Sequence, residues 1–484
     1  MSELWVLLDG REVGVVRQVQ GKLNFVYADS WRSSPGAYPL SLSMLLAASE
    51  HPHAAIEPFI WGLLPDNEFV LGRWAQKFQV SARNAFALIS HVGEDCAGAV
   101  QFVRSDRRDA ILNSPPAQTE WLTEADVANR LRSLQVDASA SRLPRDTGQF
   151  SLAGAQPKTA LLFDGQRWGV PSGRTPTTHI LKPPTGGFAG HAENEHLCLR
   201  LAKALGLPTA DSEVMQFEDT TAIVVDRYDR VTIKKTVEKM AAQDALNALR
   251  AATLPNSPDR DAAVMATLDL DDAIQARSLL ELAKTVPIHR VHQEDFCQAL
   301  RIHPSLKYQN DGGPGPKAII DLLRTNATDS KSRKKYSVKS AADSDITSFV
   351  DALIFNWLIG GTDAHAKNYS LLIGGRGMVR LAPLYDIASI LAYSDVDPRK
   401  ARMAMKIGDH YKIHDIGFSD WRKLAGSVRV DSDALIERIR GMAKALPDQL
   451  SDEIKELGES GLTHPIIALL GRMLPERAAK IAAM

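Results

Sequence analysis

The run GGTDAHAKNYSLLIGGRGMVRLAPLYDIAS, residues 360–389, constrains the fold more than any other part of this 484-residue chain. It continues from ITSFVDALIFNWLIGG (346–361), where Phe349, Leu353, Ile354, Trp357 and Leu358 predict a long apolar helix. The chain leaves that helix into a polar loop with Asp363 and Asn368 five positions apart. YSLLI, the turn GGRG and MVRLAPL then predict a hairpin. A hairpin returns its second strand beside its first, so Asp386 is expected near Asn368.

An Asp, an Asn and an Asp at one end of a hairpin suit phosphoryl transfer. One carboxylate accepts or orients the proton of the attacking hydroxyl, while an amide oxygen and the second carboxylate hold Mg²⁺ between the phosphates of ATP. D-x-x-x-x-N, hairpin, Asp is the spacing of a protein-kinase catalytic loop and metal-binding aspartate. The plainer alternative is a polar turn capped by Asp363, with Asp386 capping the next helix.

Upstream, SLAGAQPKTALLF (151–163) reads as strand, turn at Gly154 and strand, a flap whose backbone N–H groups could face phosphates. Its single turn glycine matches neither G-x-G-x-x-G nor a Walker A loop, so alone it is a hairpin. Lys182 ends the predicted strand THILK, where a kinase places its phosphate-pairing lysine. Glu195, in the first turn of a helix predicted over 193–206, is placed to ion-pair with it. A strand ending at Asp226-Arg227-Tyr228 follows. Flap, lysine, glutamate, strand end and catalytic loop come in the order of a bilobal kinase.

The rest of the pattern predicts an α+β protein. LWVLLDGREVGVVRQ reads as two strands around Asp9-Gly10, and FIWGLLPDNEFVLGRWAQKF as helical. Residues 105–118 form a proline-containing linker. TGQFSLAG, KTALLFDGQRWGV and THILKPP read as three antiparallel strands, and SEVMQFEDTTAIVVDRYDR as two more. Beyond Val231 the chain reads as mainly helical, with no glycine up to Asp311.

Composition removes several classes. Apolar residues at 44% and charged residues at 24% are those of a globular protein, not a disordered one. Basic and acidic residues, 57 against 58, leave a formal charge of −1, so no overall basic field grips nucleic acid. Cys96, Cys198 and Cys297 lack zinc or redox spacing and suit a reducing compartment. Glu3, Asp9, Arg11 and Glu12 break any secretory leader, and no apolar run has membrane length, so the cytoplasm is expected. His410 and His414 are four apart and could share a helical face, but no third ligand lies near them. Lys331, Arg333, Lys334 and Lys335 read as a solvated loop.

SLAGAQPKTALL, PTTHILKPP, ENEHLCLRLAKALGL, HQEDFCQAL, KYQNDGGPG, NWLIGGTDAHAKNYSLLI and LAPLYDIAS together closely resemble the HipA family of serine/threonine kinases, toxins of HipBA-type toxin–antitoxin pairs. YPLSLSMLL, WGLLPDNEF and GEDCAGAVQFV extend the likeness to the N-terminal region, so it covers most of the chain through about residue 390. The resemblance implies that Asp363 is the catalytic base and that Asn368 and Asp386 bind Mg²⁺. It implies an ATP site formed by Ala153, Gly154, Ala155, Gln156, Pro157 and Lys158 of the flap, Lys182 at the α- and β-phosphates, and His365, Ala366, Lys367, Asn368, Tyr385 and Asp386. Asp226, Arg227 and Tyr228 would be the adenine hinge, and Ser151 the flap serine whose autophosphorylation switches the kinase off. The implied substrate is an aminoacyl-tRNA synthetase, usually glutamyl-tRNA synthetase, whose inhibition halts translation and produces growth arrest and persistence. The implied partner is a HipB-like helix-turn-helix antitoxin, with operator DNA bound and repressed through that complex. Arg399, Lys400, Arg402 and Lys406 form a local basic patch that could touch operator phosphates.

Two departures stand out. Pro157 replaces a frequent flap glutamate, and a segment of about 231–291 separates DRYDR from HQEDFCQAL more widely than in the family. That insert either alters substrate choice or docking, or is a surface elaboration. The expected fold is α+β and kinase-like, with three parts: a β-rich N-terminal subdomain (1–118), a nucleotide-binding lobe with flap and insert (119–300), and a helical lobe with the catalytic loop (301–484). The rival readings are a small-molecule phosphotransferase of aminoglycoside-kinase type and a non-catalytic co-repressor.

Overall fold

Alternation along the strands determines where the layers lie. In Thr220–Asp226, Ala222 and Val224 face the helix Glu124–Val136, whereas Ile223 and Val225 face the helix His191–Ala204. Both faces of this sheet are therefore covered by helix. Its six strands run Ser212–Phe217, Thr220–Asp226, His179–Lys182, Thr159–Phe163, Trp168–Val170 and Glu120–Leu122, every neighbouring pair antiparallel.

The structure is a computed structural model that describes residues 2–113, 119–141, 150–184, 186, 188–231, 288–327, 340–393 and 395–484. The basic run at 331–335 and all but the ends of the expected insert lie outside the described residues. Met1–Tyr228 and His292–Met484 make one compact unit, and Asp229–Val291 another. In the second, Arg230–Val231 pairs antiparallel with His289–Arg290.

In the N-terminal region, a five-stranded antiparallel sheet has the order Glu50–Pro52, Lys22–Tyr27, Arg11–Val19, Ser2–Leu8 and Val100–Val103. The stretch expected to be helical at 59–78 is two helices, His53–Leu63 and Glu68–Phe78. The break at 64–67 contains Pro65 and Asn67, whose side chain caps the second helix through the amides of Phe69 and Val70. Part of the expected linker at 105–118 is the short helix Arg108–Asn113.

The C-terminal region is built around Ala341–Ile359, which is buried on nearly all sides from Phe349 to Ile359, as its apolar sequence requires. Ser432–Glu459 and Pro465–Ala482 pack as a helical hairpin in the same core. The predicted hairpin is present as Ser370–Gly374 and Met378–Leu381. A third strand, His292–Asp295, pairs with Ser370–Gly374, so the stretch read as helical before Asp311 contains strand. Periodicity missed it because the partner lies almost eighty residues ahead in the chain. Sheet-rich N-terminal and mainly helical C-terminal regions together make the expected α+β fold.

One further expectation is corrected, and the reading of His410 and His414 as ordinary surface histidines with no third ligand among the described residues holds. SLAG is not a strand: regular structure begins at Thr159, while Phe150 bridges to Asp95 and Gly154 to Pro65. His410 opens a short strand and His414 lies in the turn after it, with Asp420 and Asp415 as their respective partners, so they share no helical face. Among the described residues no group of His, Cys, Asp and Glu could by itself hold a metal ion, and no helix is long and apolar enough to cross a membrane.

Candidate active site

Lys182 reaches its partners through strand alternation. Leu181 pairs with Val224 and faces the helix Glu124–Val136, so Lys182, opposite Ile223, must face the helix His191–Ala204. That helix presents Glu195 in its second turn, one turn later than the sequence suggests. Lys182 Nζ lies 2.8 Å from Glu195 Oε1 and 2.8 Å from Asp386 Oδ1. Burial opposes the Lys182 charge, but the two carboxylates outweigh it and raise the lysine above its ordinary range. Asp386 is correspondingly held well below the ordinary carboxylate range by Lys182 and Lys158, against the effect of burial.

Asp386 is fixed from several sides. Its φ of 58° is in the left-handed region, which costs a non-glycine residue energy and is least unfavourable for Asp and Asn. Leu384 exchanges hydrogen bonds with the 208–210 loop, donating to the Pro208 carbonyl and accepting from the Ala210 amide at 2.8 Å each. Asn194 ties down the other side, with Nδ2 donating to Ser389 O at 2.7 Å and Oδ1 accepting from Ser389 N at 3.0 Å.

The Asp363–Asn368 segment leaves Ala341–Ile359 at Gly360, whose φ of 69° and tight approach to Leu391 leave no room for a Cβ. Asp363 is exposed, and the Tyr308 hydroxyl donates to its Oδ1. Although the side chain is open to solvent at 67% exposure, the protein packed around its site raises the Asp363 carboxyl, the Tyr308 hydrogen bond lowers it and the Asp386 charge raises it, for a net upward direction. Asn368 Nδ2 donates to Asp363 O at 2.8 Å, which leaves its amide oxygen for another partner. The Tyr385 hydroxyl donates to Lys367 O at 2.8 Å and pairs with Ser370 Oγ at 2.6 Å, joining the loop to the hairpin. His365 and Ala366 are buried; burial and the nearby Lys307 push His365 down to about 3, so it is a neutral imidazole against the Tyr308 ring.

Residues 153–158 form an irregular loop beside this cluster. Lys158 Nζ donates to Ala153 O at 2.9 Å, and burial with the neighbouring Lys182 charge pushes Lys158 down to about 8. Gly154 sits at φ 101°, a backbone conformation that residues with a Cβ adopt only under strain, so glycine suits this turn. Ala155, Gln156 and Pro157 line a small cavity with Trp74 and Leu152, giving the loop an apolar backing. Ser151 is fully buried, its amide donating to Asp95 O at 3.0 Å and its hydroxyl to Leu63 O at 2.7 Å.

The expected hinge divides. The Tyr228 ring lies 5.9 Å from Tyr385, on the same side as the loop hairpin. Asp226 pairs with His179, and the Arg227 guanidinium is buried against Thr177 at 2.8 Å and Cys96 O at 2.7 Å. Sequence reasoning missed Tyr308, Lys307 and Asp66. Lys307 and Lys367 both contact the Asp66 carboxylate, Lys307 at 2.9 Å. Tyr308 lies in KYQNDGGPG and Asp66 in WGLLPDNEF, but no local spacing links either residue to the catalytic loop.

These groups fit Mg²⁺ and ATP. The Asn368 amide oxygen and the Asp386 carboxylate are hard oxygen donors, and Lys182 and Lys158 place two ammonium groups beside them.

Comparison with known proteins agrees over nearly the whole length. The HipA N-terminal domain profile matches residues 4–103, and the HipA-like C-terminal domain profile matches residues 150–286 and 259–450. The putative kinase Y4mE of Sinorhizobium fredii is 31% identical over 453 residues, covering 93% of this chain and 91% of its own. The serine/threonine-protein kinase toxin HipA of Shewanella oneidensis is 26% identical over 436 residues, covering 88% of this chain and 83% of its own. Among solved structures, a Shewanella oneidensis toxin–antitoxin complex of HipA, HipB and operator DNA aligns with a TM-score of 0.74 at 22% identity, over 99% of this chain and 98% of its counterpart. By domain content, sequence identity and fold, this chain belongs to the HipA family of serine/threonine-protein kinase toxins.

Proposed function

We propose that this chain transfers the γ-phosphoryl group of Mg²⁺-ATP to a serine or threonine hydroxyl on a protein, as the toxin of a toxin–antitoxin pair. The observation that carries the reading is the single Lys182 ammonium shared by Glu195 and Asp386, alongside Asp363 and Asn368 tied together by Asn368 Nδ2 donating to Asp363 O at 2.8 Å. Asp363 is the base that accepts or orients the substrate hydroxyl proton, and its exposure puts it where a protein side chain can reach. Lys182 orients the α- and β-phosphates, and the amides of 153–158 with Lys158 cover them. Tyr228, whose ring lies 5.9 Å from Tyr385, offers the adenine a stacking face at the 226–228 hinge. When bound through Asn368 and Asp386, Mg²⁺ neutralises charge on the phosphate oxygens.

The intended target is an aminoacyl-tRNA synthetase, glutamyl-tRNA synthetase first, in the cytoplasm, with translation arrest as the consequence. Ser151 is the autophosphorylation site: a phosphate of nearly two negative charges does not fit its fully buried slot, so modification expels the flap. A HipB-like helix-turn-helix antitoxin supplies the DNA-reading element, consistent with a net charge of −1 on this chain and with operator DNA in the Shewanella oneidensis complex. We assign the same three-part division as above: 1–118 as the N-terminal subdomain, 119–300 as the nucleotide lobe and 301–484 as the catalytic lobe. Incubating cell lysate with the chain and ATP, then mapping phosphopeptides, tests the substrate. A dominant site on a synthetase supports the reading, whereas label on small metabolites alone favours the aminoglycoside-kinase alternative.

A further inference from the structure

We infer that Asp66 is a positioning residue of the kinase: its carboxylate holds the catalytic loop through Lys367 and Lys307 while its backbone holds the phosphate flap through Gly154. The inference rests on the reading of 153–158 as flap and 363–368 as catalytic loop.

The turn after His53–Leu63 touches both elements at once. The Asp66 amide donates to Gly154 O at 3.2 Å, and Pro65 and Gly154 form a parallel bridge. Two residues before Pro65, Leu63 O accepts the Ser151 hydroxyl at 2.7 Å. From the same turn the Asp66 carboxylate, one oxygen per partner, contacts Lys307 and Lys367. All three side chains are largely buried, Asp66 at 11% exposure, Lys367 at 3% and Lys307 at 14%.

A single carboxylate between two ammonium groups is not interchangeable with a neutral side chain. Without its charge, Lys307 and Lys367 repel each other in a poorly solvated site, and Lys367, the deeper of the two, has the least access to water. Lys367 adjoins Asn368, and its carbonyl is held by Tyr385, so displacing it moves the amide expected to bind metal. Any shift of the turn also acts on Gly154, which adjoins Ala153, whose carbonyl accepts from Lys158 Nζ at 2.9 Å. Flap closure over phosphates and catalytic-loop order are therefore linked through one residue of the N-terminal region, and linkage requires each to strengthen the other.

The test uses the full chain and Asp66→Asn, which keeps the backbone bond to Gly154 and removes the charge. Mg²⁺-ADP is the probe, with calorimetry for affinity, single-turnover phosphorylation for rate, and hydrogen exchange at 364–368. In the unaltered chain, Mg²⁺-ADP is expected to slow exchange at 364–368. In Asp66→Asn that protection is expected to be lost and the rate to fall about tenfold, within the usual range of coupling between sites, while ADP affinity changes less. A mere structural role would lower stability without abolishing ligand-induced protection. If Asp66→Asn does not melt cooperatively, Asp66→Glu, which keeps the charge but lengthens the arm, is read instead for a smaller loss of the same two quantities. Wild-type rate and wild-type protection in the variant overturn the inference alone. Failure of the unaltered chain to bind Mg²⁺-ADP overturns the underlying site reading, and this inference with it.

Discussion

Lys182 Nζ and Asp386 Oδ1 lie 2.8 Å apart although 204 residues separate them in the chain. The same ammonium is 2.8 Å from Glu195, so a strand end, a helix and the loop after the hairpin converge on one positive charge. The lysine side chain is 6% exposed, Glu195 1% and Asp386 30%, so the cation and Glu195 are largely withdrawn from water while Asp386 keeps partial access. Such an arrangement is stable only while complete, because removing the cation leaves two carboxylates facing each other.

Lys182→Met is therefore expected to lose both stability and activity. Breaking a buried pair costs ~3–5 kcal/mol, and loss of a preorganised phosphate contact costs about a hundredfold or more in rate. Thermal melting and steady-state ATP titration check these two effects. A variant with a wild-type melt would show that the convergence contributes little to the fold.

Tyr308→Phe removes the hydroxyl that hydrogen-bonds Asp363. That bond favours the charged carboxylate, so its loss raises Asp363 beyond the upward shift it already has. As the proposed base, Asp363 must be deprotonated to act, so the acid limb of kcat/KM is expected to move to higher pH. Rates well above that limb should change little. A pH–rate profile superimposable on wild type would separate Tyr308 from Asp363 function.

How far the sequence reveals this site depends on how local each contact is. Asp363, Asn368 and Asp386 could be read because a helix, a loop and a hairpin connect them in one run. Lys182 and Glu195 follow from strand alternation and the next helix. The flap was misread as a hairpin because Phe150 and Gly154 pair with Asp95 and Pro65, and no residue spacing reports those bridges. Asp66 and Tyr308 escaped for the same reason, since their partners lie 301 and 55 positions away.

Ser151→Ala and Ser151→Asp should behave oppositely. The alanine variant loses one hydrogen bond to Leu63 O, about 1 kcal/mol, and should keep the flap in place and bind ATP. The aspartate variant puts a carboxylate into a slot with no exposure, so the flap should leave and ATP affinity fall at least about tenfold. Calorimetry on both variants measures the contrast; equal affinities would contradict a flap held by its buried serine.

Glu294 gives a pH dependence of stability distinct from catalysis. Its carboxyl accepts from the Leu42 amide at 2.8 Å, and burial pushes it up to about 8. With the folded value raised above the unfolded one, the folded state holds the extra proton between roughly pH 4.5 and 8, so stability falls as pH rises through that window. Glu294→Gln, which cannot ionise, should flatten this decline in denaturant midpoints measured from pH 5 to 8. An unchanged slope in the variant would assign the dependence to other groups.

The central claim is that Asp363 and Asp386 act together in phosphoryl transfer to protein hydroxyls. Its most direct test is transfer of label from γ-labelled ATP to serine or threonine, including Ser151 of the chain itself, by wild type, Asp363→Asn and Asp386→Asn. Labelled phosphoserine or phosphothreonine with wild type and its loss in both folded variants is the expected result. Full labelling by either variant would contradict the account.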